Sequence, residues 1–127
     1  MEVDIDLSVS IPSSEESSIR TALPSGYVME ESRNDSNPGE TRFLIRYKDE
    51  RSRQIQTNVG VLIVDFLSKL TSLENILRKF GGELRLGIYY ELKETAVFPF
   101  RLPSECIHRL ASLNLSLEST GYPCSDD

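Results

Sequence analysis

Residues 2–11, EVDIDLSVSI, alternate without interruption: Val3, Ile5, Leu7, Val9 and Ile11 are apolar, while Glu2, Asp4, Asp6, Ser8 and Ser10 are polar. Successive side chains of an extended chain point to opposite faces, so a period of two specifies a strand with one dry and one wet face. A chain that begins this way needs a sheet covered on one side only, which is the habit of antiparallel sheets.

The same period returns in TRFLIRYK at 41–48, where Phe43, Ile45 and Tyr47 alternate with Arg42, Leu44, Arg46 and Lys48. It returns again in ELRLGIYYEL at 83–92, with Leu84, Leu86, Ile88, Tyr90 and Leu92 inward and Glu83, Arg85, Tyr89 and Glu91 outward. YVMEESR at 27–33 reads as a strand that pairs with 41–48 in a hairpin, because NDSNPGE between them is dense in turn formers. AVFPF at 96–100 is expected as a short edge strand, where Pro99 is tolerated. LSLEST at 115–120 closes the series, and GYPCSDD, residues 121–127, reads as a frayed tail beyond a single domain of residues 1–120.

Helices are expected in three places. PSSEESSIRTAL offers Ser13 or Ser14 as an N-cap, with Glu15 and Glu16 in the first turn, where the helix dipole favours anions. The segment 59–80 carries Leu62, Phe66, Leu70, Leu73 and Leu77 at spacings of three and four, with a break expected near Thr71 and Ser72 and a stop at Gly81 and Gly82. Its first half is apolar nearly all round and is expected to be the most buried part of the chain. A last helix runs from Pro103 to about Asn114. The order β-α-β-β-α-β followed by a β-α-β extension predicts an α+β, ferredoxin-like sandwich: helices on one face of a mostly antiparallel sheet, the other face open.

With 39% hydrophobic and 27% charged residues the chain is expected to fold, and no apolar run is long enough to span a bilayer. The N-terminus is acidic and alternating, unlike a secretory signal, so cytoplasm is the expected location. Two cysteines without C-x-x-C spacing fit a reducing compartment. A formal net charge of −6 argues against nucleic acid as a partner.

Catalytic chemistry finds little to work with. Cys106 and His108 stand two residues apart, about 200° around a helix, so they cannot form a dyad. Cys106 aligns with Leu110 and Leu113 on an apolar face, and the single histidine aligns with Ser104 and Ser112 toward solvent. There is no phosphate-binding loop motif, and Gly81-Gly82 follows a helix rather than a strand. No metal, cofactor or catalytic residue is expected, and the chain reads as a non-enzymatic protein. The cations Arg42, Arg46, Lys48, Arg51 and Arg53 are interrupted by Asp49 and Glu50 and read as a solvated strand end.

The wet sheet face is the remaining candidate. Asp4 and Asp6 lie on one side of one strand, within reach of Arg42, Arg46 or Arg85 across the sheet. Two functions follow. In the first, Asp4 and Asp6 belong to an acidic face that binds a protein partner, and a basic one. In the second, Arg46, Arg85 and Tyr89 hold an anionic metabolite in a homodimeric regulatory domain. The sequence leaves both a monomer and a homodimer open.

From about residue 57 to 122, the leucine-rich FLSKLTSLENILRKF, the strand LRLGIYY and then FPFRLPSECIHRLASLNLSLESTGYP follow one another. This order resembles a bacterial family of small proteins described only as a domain of unknown function. Phe100, Leu102, Ser104, Glu105, Ile107, Leu110, Ala111, Leu113, Leu115 and Leu117 stand at the positions of its apolar pattern, with Tyr122 near its end. The resemblance implies a small cytoplasmic protein of ferredoxin-like build and transfers no catalytic residue. By analogy it points to an immunity-type partner of a secreted toxin.

Overall fold

The computed structural model describes residues 2–33, 36–49, 59–91 and 101–124. In chain order its elements are β1 (Glu2–Pro12), α1 (Glu16–Ala22), β2 (Tyr27–Arg33), β3 (Glu40–Tyr47), α2 (Val59–Ser68), α3 (Glu74–Phe80), β4 (Gly82–Glu91), α4 (Ser104–Ser112) and β5 (Leu115–Cys124). Single 3-10 turns, Ser13–Glu15 and Thr71–Leu73, lead into α1 and α3. The fold is α+β, and the five described strands form one sheet of order β2-β3-β1-β4-β5. Every neighbouring pair is antiparallel except β4 and β5, which are parallel.

The opening alternation does what it specifies. Val3, Ile5, Leu7, Val9 and Ile11 are at most 8% exposed, and β1 takes the centre of the sheet, where its dry face is enclosed on both sides. Phe43 and Ile45 of β3 and Leu84, Leu86 and Ile88 of β4 continue that face. One buried cluster joins them to Ile19 of α1, to Leu62, Ile63, Phe66 and Leu67 of α2, to Leu77 of α3, and to Cys106 and Leu110 of α4. Burying a leucine or phenylalanine fully stabilises by about 1.5–3 kcal/mol, so this cluster is the main source of stability.

The long helical segment divides near Thr71 and Ser72 as its sequence suggests. Its first half is not wrapped in protein, however: Val61 is 62% exposed and Val64 46%. A helix packed from one side buries one stripe, and in α2 that stripe is Leu62, Ile63, Phe66 and Leu67. Helix α3 ends at Gly81, whose φ of 75° is left-handed and whose N–H donates to the Leu77 carbonyl at 2.7 Å. Neither Ser13 nor Ser14 caps α1: the cap position is Glu15, with no side-chain cap bond, and Ser13 Oγ instead meets Thr41 Oγ1 at 3.0 Å.

The C-terminal extension differs in its sheet order from the expected arrangement. The place beside β4, where a returning hairpin strand would sit, is taken by β5, reached through α4 as a parallel crossover. The strand expected at 96–100 lies outside the described residues, as do Arg51 and Arg53. Strand β5 also runs on to Cys124, opposite Glu91, four residues past its expected end. No helix among the described residues is long and apolar enough to cross a membrane.

Candidate functional site

The polar residues of β1 lie on the face opposite the core. Glu2 is exposed, and Asp4, Asp6, Ser8 and Ser10 are half-buried. Register then decides which groups meet. Asp6 stands between Arg46 of β3 and Arg85 of β4, and Arg85 in turn faces Glu118 of β5. Asp6 is taken by Arg85: Nε donates to Oδ1 at 2.7 Å and Nη2 to Oδ2 at 2.9 Å. The hydrogen bond to Asp6 pushes the Arg85 guanidinium further above its ordinary value. Both side chains remain about one-third exposed, so this pair contributes about 1 kcal/mol at most and acts chiefly as a fixed polar landmark. Arg46 turns the other way, donating from Nη2 to Glu30 Oε1 at 2.9 Å.

One step along the strands, Asp4 faces Gly87, which faces Thr120; one step further, Glu2 faces Tyr89, which faces Tyr122. The Tyr89 and Tyr122 rings stack with centroids 5.0 Å apart and planes 20° apart. Gly87 makes room for them. A Cβ there would lie 3.3 Å from Tyr122 Cε2 and 3.5 Å from Tyr89 Cε2. Around this glycine, Asp4, Asp6, Arg85, Tyr89, Glu118 and Tyr122 border a cup of about 180 Å³. Carboxylates and aromatic faces side by side are the surroundings that attract an ammonium or guanidinium group.

Asp4, Asp6, Arg85 and Tyr89 are thus gathered at one place. Arg46 is separated from it by β1 and held by Glu30. Glu118 and Tyr122 of β5 join the four gathered residues, although the sequence singles out neither as a site residue: Glu118 lies inside the expected strand 115–120 and Tyr122 two residues beyond it. The signal was present, because Ser116, Glu118, Thr120 and Tyr122 extend the alternation behind Leu115 and Leu117.

Two other constellations have structural explanations. Tyr27 donates its hydroxyl proton to the Phe66 carbonyl at 2.7 Å, and Tyr47 donates to Asp65 Oδ2 at 2.7 Å. Their rings stack 5.3 Å apart, and both meet Phe66 edge-on. Burial, then the Asp65 charge, pushes Tyr27 up to about 12. Burial first, and then the hydrogen bond to Asp65, raises Tyr47. Cys106 is 1% exposed and burial pushes its thiol up, whereas His108 is exposed on the same helix. Cys106 and Cys124 are both free thiols. A more apolar groove of about 460 Å³ runs between α2 and α4, lined by Val61, Val64 and Pro103.

Comparison with protein-family models, with curated proteins and with solved structures found no match to this chain.

Proposed function

We propose that this protein is a non-enzymatic binding module that grips a basic protein partner with the acidic and aromatic end of its uncovered sheet face. The observation that carries the reading is the stacked Tyr89–Tyr122 pair beside Asp4 and Glu118, around a glycine that leaves the rings room. A lysine or arginine side chain of the partner enters the cup, its charge against the carboxylates and its flat or methylene surface on a ring. The net charge of −6 supports the same partner class, since it steers basic surfaces toward the molecule. Blocking a basic toxin or enzyme in the cytoplasm, as the resemblance implies, is one form of this function.

The reading goes with a ferredoxin-like build, helices on one face and the second face left for recognition. The order β2-β3-β1-β4 with antiparallel neighbours supports it, and so does the burial of only one face of β1. The anionic-metabolite reading is weaker, because Arg46 and Arg85 are already engaged by Glu30 and Asp6.

A hexa-arginine peptide serves as the probe, followed by the intrinsic fluorescence of the five tyrosines, there being no tryptophan. Asp4→Lys and Tyr122→Ala should each weaken binding about fivefold or more, in line with one cation–π or ion-pair contact of about 1 kcal/mol. Asp4→Lys should also flatten the salt dependence, whereas Glu105→Lys on α4 should do neither. Equal losses from all three variants would leave only bulk charge attraction and defeat the proposal.

A further inference from the structure

The same face carries a second polar centre at its other end. Asp4 and Ser10 are six residues apart on β1, so about 20 Å separates the two ends at about 3.3 Å per residue. There Ser10 faces Arg42 of β3, which faces Ser32 of β2, while Ser8 faces Glu83 of β4. Ser8, Ser10, Arg42, Gly82, Glu83 and Ser116 line an open cup of about 430 Å³.

Arg42 differs from the other strand arginines of this face with described side chains. Arg46 is bonded to Glu30 and Arg85 to Asp6, but among the described residues no carboxylate pairs with Arg42. Its Nε donates to Ser8 Oγ at 3.0 Å. That bond orients the guanidinium plane and leaves the two Nη groups, with up to four N–H donors, available for a ligand. A hydroxyl that accepts through its oxygen still has a proton to donate, so Ser8 and Ser10 add donors beside the fork. A fixed guanidinium among hydroxyls is a donor set suited to a tetrahedral oxyanion, and Arg is the side chain that meets such an anion with two parallel bonds.

We infer that the Arg42 cup binds a phosphate group, with Arg42 supplying charge and Ser8 and Ser10 supplying hydroxyl donors. Glu83 on the rim opposes the anion and keeps binding in the millimolar range. The group is a free phosphate or one esterified to a small molecule or side chain; the chemistry of recognition is common to all.

The test is a titration of the full chain with inorganic phosphate at constant ionic strength, read at the arginine Nε–H resonances by NMR. A saturable shift of Arg42 at millimolar phosphate is expected, with Arg46 and Arg85 moving little. Sulfate should compete and chloride should not. Glu83→Gln should tighten binding severalfold, and Arg42→Gln should abolish it. Arg42→Lys, which keeps the charge but loses the fork, should weaken it. A parallel titration with O-phosphoserine distinguishes the sources: tighter binding than phosphate assigns the cup to an esterified group, equal binding to free phosphate. No saturable shift, an equal response at all three arginines, or unchanged binding in a folded Arg42→Gln protein would overturn the inference.

Discussion

Tyr27 shows how much a single side chain can make the fold depend on pH. It is 5% exposed, and burial together with Asp65 lifts its hydroxyl to about 12. A phenol whose folded value lies above its unfolded value of about 10 binds its proton more tightly in the native state. Stability is therefore fully present below pH 10 and is lost as the pH rises toward 12, because the unfolded chain ionises first. Two pH units correspond to about 2–3 kcal/mol. Urea unfolding should give level stability from pH 7 to 9 and a fall of that order by pH 12, and Tyr27→Phe should reduce the fall. An unchanged slope in Tyr27→Phe would place the effect elsewhere, with Tyr47 the first alternative.

At the scale of elements, the joint between α3 and β4 leaves no room for a side chain. Gly81 holds a φ of 75°, and a Cβ there would lie 3.0 Å from Asn114 Nδ2 and 3.1 Å from the Asn114 carbonyl oxygen. The Gly82 N–H donates to that same carbonyl at 3.2 Å, so the strap between α4 and β5 cannot easily retreat. Gly81→Ala should cost about 1–3 kcal/mol in thermal or denaturant unfolding, and a neutral substitution would contradict this account of the joint. The elements themselves were legible in the sequence wherever periodicity was long: β1, β3, β4 and the leucine segment of α2 and α3 lie where alternation or helical spacing puts them. Details set by tertiary contact were not. The extent of burial of Val61 and Val64 depends on which side of α2 the sheet approaches. Ser13 gives up its capping role to Thr41, which is remote in sequence. The neighbour of β4 is settled by the α4 crossover rather than by any local pattern.

At the scale of the whole molecule, the face is polar at both ends and differently so: Asp4, Glu118 and the tyrosine pair at one, Arg42 and serines at the other. Asp4, Asp6, Arg85 and Tyr89 were legible as wet-face residues from alternation alone. Their partnership was not, because Asp6 stands between two arginines and only the three-dimensional register and rotamers give it to Arg85 and leave Arg46 to Glu30. Tyr122 was hidden by the proline and glycine around it, which read as a chain end but occupy an edge strand, where such residues are tolerated. The measurement that bears most directly on the proposed docking site is a backbone amide map of the complex with hexa-arginine. Shifts should concentrate at Asp4, at Gly87 to Tyr89 and at Glu118 to Tyr122, with α2 and α4 silent. Shifts centred instead on the groove of Val61, Val64 and Pro103, or spread evenly over every acidic residue, would contradict the account.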